Sequence, residues 1–140
     1  MLVLDTDHFS LIEKPNNRES LRLRHRLEQA VDEQCATTII SYEEQSRGWL
    51  AYTARARSKT EQIDAYGRLF RHLDAYRKII VLEFDSTAFD LYQSLKRIVS
   101  IGTMDLKIAA ITLAHDALLL SRNFKDFGQV PGLKVEDWLS

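Results

Sequence analysis

Met1-Leu2-Val3-Leu4-Asp5-Thr6-Asp7 opens the chain with an unbroken apolar run that ends on a carboxylate. A short continuous apolar run reads as a strand covered on both faces, so residues 1–5 are expected to form a buried strand. Removing a lone acid from water is expensive. Asp5 is therefore expected to meet a cation or a hydrogen-bond donor.

The same arrangement recurs further along. Glu44 follows Thr37-Thr38-Ile39-Ile40, Asp105 follows Ile101-Gly102-Thr103-Met104, and the Asn123 to Asp126 stretch follows Leu118-Leu119-Leu120. Cys35 to Ile40, Ile79 to Leu82 and Ala117 to Leu120 read as further strands, and Lys134-Val135 as a last edge strand. Helical spacing fills the intervals, including Ile63, Tyr66, Phe70 and Leu73 on one helix and Ala88, Leu91, Tyr92, Leu95, Ile98 and Val99 on another. Asp105 to His115 is apolar on nearly every side and predicts a central helix. Alternating strands and helices argue for an α/β sandwich around a mainly parallel sheet. In such sheets the loops after the strands line the binding crevice. The four acidic positions are thus expected to converge, and converging carboxylates repel unless a cation joins them. An oxygen-rich set of this kind suits a hard divalent metal.

Local chemistry offers plainer roles for some of these residues. Asp7 can cap a helix over 7–12 that closes at a Pro15-Asn16-Asn17 turn. Ser41-Tyr42-Glu43-Glu44 reads as a capping box, and Thr103 as a cap with Asp105 in the first turn. Trp49, Tyr52, Thr53 and Ala56 form a stripe suited to core packing or to a partner face. His8, His25, His72 and His115 show no metal-ligand spacing and are expected at the surface or partly buried.

Length predicts one domain over 1–140. With 45% hydrophobic and 28% charged residues, the composition is that of a folded globular chain rather than a disordered one. No apolar run approaches the roughly 20 residues that span a bilayer, and no basic n-region precedes the first strand. The one cysteine, Cys35, is expected to be a small buried side chain. A cytoplasmic protein is the expectation. Net charge is −1, but 13 Lys plus Arg against 9 Asp plus Glu lie between Lys14 and Lys78. A basic middle suits a polyanion, and acidic flanks suit a metal.

Taken in order, these motifs resemble the PIN-domain ribonucleases, and specifically the VapC-type toxins of bacterial toxin–antitoxin pairs. Leu4-Asp5-Thr6-Asp7 is similar to the first motif of that family. Ile40-Ser41-Tyr42-Glu43-Glu44 is similar to the second. Ile101-Gly102-Thr103-Met104-Asp105-Leu106-Lys107-Ile108-Ala109-Ala110 is similar to the third. Ser121-Arg122-Asn123-Phe124-Lys125-Asp126-Phe127 with Val130-Pro131-Gly132-Leu133 is similar to the fourth. Asp7 stands where Asn is commoner, and Asn123 where many members carry an acid.

The resemblance implies a three-layer α/β/α fold, one or two Mg²⁺ or Mn²⁺ ions, and endonucleolytic cleavage of RNA. It also implies a cognate antitoxin whose C-terminal tail occupies the cleft, and a homodimer. On this basis Asp5 and Asp105 are the expected principal metal ligands, directly or through water, and Glu44 completes the set in the inner or outer ring around the ion. Asp126 and Asn123 are the alternatives for a fourth position. A water activated by the metal would attack the phosphate in line. Thr6 and Ser121 are candidate donors to a phosphate oxygen, or turn-formers. Arg22, Arg24, Arg26, Arg55, Arg57 and Lys59 are candidate contacts to single-stranded or loop RNA, or to an acidic partner.

Two other readings compete. Asp5-Thr6-Asp7 superficially matches the Asp-x-Asp of a phosphatase with an aspartyl nucleophile, but Phe9 occupies a position where that pattern requires Thr or Val. The other is a catalytically inert PIN-like interaction module.

Overall fold

The first strand lies at the middle of everything else. The computed structural model describes residues 1–14 and 17–140. Of the expected Pro15-Asn16-Asn17 turn, residues 15 and 16 lie outside that description. The elements run β1 (Leu2–Leu4), α1 (Thr6–Ile12), α2 (Arg18–Gln29), β2 (Cys35–Thr38), α3 (Ile39–Arg55), α4 (Lys59–Arg77), β3 (Ile80–Leu82), α5 (Ser86–Lys96), α6 (Thr103–Ala114), β4 (Leu118–Leu120), α7 (Phe124–Phe127) and β5 (Lys134–Glu136). The strands form one sheet in the order β3-β2-β1-β4-β5. All pairings are parallel, with Leu2 opposite both Cys35 and Leu118.

Side chains alternate across a strand, and both faces of this sheet are covered. Val3, Ala36, Leu82 and Leu119 point into one core with Leu106, Ile108, Ala109, Ile111 and the inner face of α5. Leu2, Leu4 and Leu120 point into the other, with Phe9, Leu11, Leu23, Ala75 and Tyr76. The expected layered α/β architecture is therefore present, with α5 and α6 on one side and α1, α2 and α4 on the other.

Several boundaries differ from the sequence reading for local reasons. Asp5, not Asp7, caps α1, its side chain accepting from the His8 amide. Thr38 caps α3 by accepting from the Ser41 amide, so β2 ends early and the Ser41–Glu44 capping box does not form. Gly102 precedes α6 without a side-chain cap, so Thr103 lies inside the helix. The stretch after β4, expected as loop, contains the single turn of α7 with Asn123 at its cap. On α4 the core contacts come from Ala65, His72, Ala75 and Tyr76, while Ile63, Tyr66, Phe70 and Leu73, whose spacing marked the helix, are exposed. Ile98 of the α5 set is also exposed. Cys35, expected to be buried, is half-buried, and that burial pushes its thiol up to about 11, so it stays protonated near neutral pH.

Leu119 is fully buried on β4, between β1 and β5. Leu119→Ala removes buried methyl groups from a site with little room to collapse. It is expected to cost about 2–5 kcal/mol, read as a lower urea midpoint with unchanged slope.

A candidate metal centre at the carboxyl edge of the sheet

The end of β1 and the starts of α3, α6 and α7 bring their acids to the same edge, although Ile101–Met104 before Asp105 forms no strand. Asp5 leaves β1 directly, held by its backbone N–H on Leu120 O at 3.1 Å. Its carboxylate is buried, and Oδ1 accepts from the His8 amide at 2.8 Å. Asp7 is one helical step on and exposed. Glu44 comes from α3, early enough in that helix to face α1. Its Oε1 lies 2.9 Å from Thr6 Oγ1, which in turn is 3.0 Å from the buried Ser41 hydroxyl. Asp105 occupies the first turn of α6, and Asp126 the first turn of α7. The Asn123 side-chain amide joins these two, donating to Asp126 Oδ2 at 3.1 Å and to Asp105 Oδ2 at 3.4 Å.

Convergence shows most clearly in the electrostatics of Asp105. Burial raises its carboxyl from an ordinary 3.8 to about 6, and the charges of Glu44, Asp126, Asp5 and Asp7 push the same way. Residues from four separate parts of the chain therefore share one field. Among the described residues, no Lys or Arg makes an ion pair with Asp5, Glu44, Asp105 or Asp126. Helix starts offset part of this repulsion, because the α1 and α6 N-termini carry partial positive charge.

Whether this set fits a metal turns on its donors. All are oxygens, mostly anionic, which suits a hard cation. Yet among the described residues no three acidic, imidazole or thiol side chains stand close enough to ligate one ion together. Asp5, Glu44 and Asp105 are therefore not drawn into a direct trio, which leaves contact through water. Instead each carboxylate rests near a donor: the His8 amide, the Thr6 hydroxyl or the Asn123 amide. Mg²⁺ keeps several of its own waters, so a hydrated ion is the form that such a spread set suits.

Other expected residues have occupied roles. Ser121 is fully buried and its hydroxyl accepts from the Asn123 backbone N–H at 3.0 Å, which makes it a turn-former. Arg22 donates to Leu139 O at 3.5 Å, Arg26 to Asp137 O at 3.3 Å, and Arg24 to Ile12 O. The Arg26 guanidinium also lies over the Trp138 ring, 4.7 Å from its centroid. In this arrangement these arginines fasten backbone. Arg55, Arg57 and Lys59 are exposed around the α3–α4 turn. His8 and His72, expected at the surface or partly buried, are both buried, and His8 lies with Nδ1 only 3.3 Å from Asp5 Oδ1. Its signal was the three-residue step from Asp5, which puts it on the helix face that the cap also occupies.

A raised carboxyl has a definite consequence for stability. Between about pH 4 and 6 the folded chain holds a proton on Asp105 that the unfolded chain has lost. Asp105 thus favours folding in acid, and that contribution is lost as pH rises through about 6. Asp105→Asn cannot ionise. In EDTA it is expected to melt a few degrees above wild type at about pH 8, with the gain vanishing near about pH 4. A Tm difference independent of pH would refute the crowded-carboxylate account.

No protein-family model matches the chain, and no curated protein matches it. Solved structures do. FitAcB from Neisseria gonorrhoeae superposes with a TM-score of 0.72 at 20% identity, covering 99% of this chain and 98% of that one. VapBC2 from Rickettsia felis, bound to a promoter DNA fragment, gives 0.70 at 22%, covering 99% of each. A toxin–antitoxin complex from Klebsiella pneumoniae gives 0.68 at 20%, covering 99% and 98%. The likeness is one of fold and extends over nearly the whole length. The chain has a PIN-like α/β fold, with its crowded acidic edge where the strands of that fold end.

Proposed function

We propose that this chain is a Mg²⁺- or Mn²⁺-dependent endoribonuclease, the toxin of a toxin–antitoxin pair. One observation carries the reading: Asp5, Glu44, Asp105 and Asp126 share one electrostatic field at the sheet edge, on a fold matched by toxin–antitoxin structures. Asp5, Asp105 and Glu44 would hold the ion, with Asp126 and Asn123 beside it. When bound, a divalent ion lowers the pKa of water and steadies charge on a phosphate. The protein's own part is to hold the acids ready. Thr6 keeps the Glu44 carboxylate turned toward α1, and Asn123 keeps Asp105 and Asp126 from separating. The repulsion that raises the Asp105 carboxyl would be relieved by an arriving cation, which favours metal uptake over an empty charged site.

Single-stranded or loop RNA is the proposed substrate, because its backbone and bases can reach an open edge. Arg55, Arg57 and Lys59 are the exposed cations proposed to meet it. An antitoxin tail filling the cleft, a homodimer and a cytoplasmic setting belong to the same proposal. Among the described residues no helix is long and apolar enough to cross a membrane. Ile63, Tyr66, Phe70 and Leu73 form an exposed apolar row on α4 that a protein partner would cover.

A specific observation favours a second reading. The missing direct ligand trio is also what a binding module without catalysis would show. Purified protein and a fluorescent RNA separate the two. Wild type is expected to cleave with Mg²⁺ or Mn²⁺ and to stop with EDTA. Asp5→Asn and Asp105→Asn are expected to lose at least about 100-fold in rate while keeping the wild-type circular dichroism. Equal cleavage by variants and wild type would overturn the assignment, and absence of both cleavage and Mn²⁺ binding would favour the inert module.

A further inference from the structure

His8 has no role in the function just proposed, yet it is among the most enclosed polar residues of the fold. It is fully buried on α1, wedged between the Asp5 carboxylate and the Asp137–Leu139 segment. Its two nitrogens face different partners. The Trp138 backbone N–H donates to Nε2 at 3.3 Å. A nitrogen that accepts an N–H must present its lone pair, so Nε2 is bare and the ring proton sits on Nδ1. Asp137 Oδ1 is also near Nε2, at 3.8 Å, but that oxygen already accepts the Leu139 amide at 2.8 Å. It is too far away to claim a proton from Nε2.

The Nδ1 proton then faces Asp5 Oδ1 at 3.3 Å. Its alignment falls short of a hydrogen bond, so Nδ1 is left as a buried donor without a partner. A buried donor in that state costs free energy unless a small shift completes the bond. The nearest acceptor is Asp5 Oδ1, which already takes the His8 amide. Closing the gap would pin one carboxylate oxygen from two sides. Asp5 Oδ2 has no hydrogen-bond partner among the described residues, and it would then be the oxygen offered to the site.

We propose that His8 is a positioning residue for Asp5, with the Trp138 backbone amide setting its tautomer. The inference rests on the metal-dependent reading above. It makes the segment after β5 part of the support for the site. Trp138 and Leu139 are buried, and Arg22 and Arg26 fasten the carbonyls on either side of Trp138. The first carboxylate of the site would thus be oriented from the far end of the sequence.

Three substitutions separate the two ring nitrogens. His8→Asn places an amide donor where Nδ1 stands and loses the acceptor for Trp138. His8→Gln places its amide where Nε2 stands and loses the donor to Asp5. His8→Phe fills the space with neither. Mn²⁺ affinity by calorimetry is expected to fall about 10- to 100-fold in the Gln and Phe variants, with Asn staying within about threefold of wild type. Single-turnover cleavage should follow affinity, while the KM for RNA at saturating Mn²⁺ stays unchanged. Tm in EDTA reports any merely structural loss, which would lower stability without ordering the variants this way.

One measurement needs no variant. Nitrogen-15 NMR of the metal-free wild type should show His8 protonated at Nδ1 and bare at Nε2. The opposite tautomer, or equal Mn²⁺ affinity in wild type and all three variants, overturns the inference. Wild type that neither binds Mn²⁺ nor cleaves RNA instead overturns the metal reading beneath it. The two failures are distinguishable because the tautomer is read without metal.

Discussion

Mutual repulsion of carboxylates is the constraint around which this molecule is arranged. Burial and four neighbouring charges make the ionised form of Asp105 unfavourable. A chain under selection for stability alone would place alanine or asparagine there. This one instead surrounds the acids with compensations: a backbone amide for Asp5, a hydroxyl for Glu44, and one side-chain amide shared by Asp105 and Asp126. None of these neutralises charge. They hold the negative groups in place and leave the field standing. Local discord of this kind, supported by an otherwise consistent fold, is a mark of a functional site.

The parallel sheet makes the crowding possible. Every strand points the same way, so every strand end and the start of the following helix arrive at one edge. With both faces covered, β1 needs apolar residues throughout, and Leu2, Val3 and Leu4 supply them. The residue after such a strand is fixed in place by the sheet itself. Asp5 inherits that rigidity, and the Asp5–Leu120 backbone bond carries it across to β4.

Much of this was legible in the sequence, because apolar strands alternating with periodic helices admit few architectures. The strands after β1 were recognisable from Thr37-Thr38 and Leu118-Leu119-Leu120, and the acids after them from position alone. What escaped was decided by competition between nearly equal local options. Thr38 and Ser41 both make good caps, and the β2–β3 pairing register selected Thr38. On α4 two stripes were available, and the one bearing Ala65, Ala75 and Tyr76 allowed closer approach to α3 and the sheet than the bulkier Ile63, Tyr66 and Phe70. His8 escaped because its partner segment lies 130 residues away. Spacing arguments do not reach that far. The roles of Arg22 and Arg26 were hidden for the same reason, since the carbonyls they hold belong to the opposite end of the chain.

The position of β1 also bears on biosynthesis. Its Leu-Val-Leu run leaves the ribosome well before one of its two partner strands, β4, which is translated over a hundred residues later. Until then a sticky central ribbon has one side unpaired, and loop closure across that separation is slow. The nascent protein therefore has a long interval in which that ribbon is open to chaperones or to aggregation. The acidic cluster cannot form in that interval either, because Asp105 and Asp126 flank the same late strand.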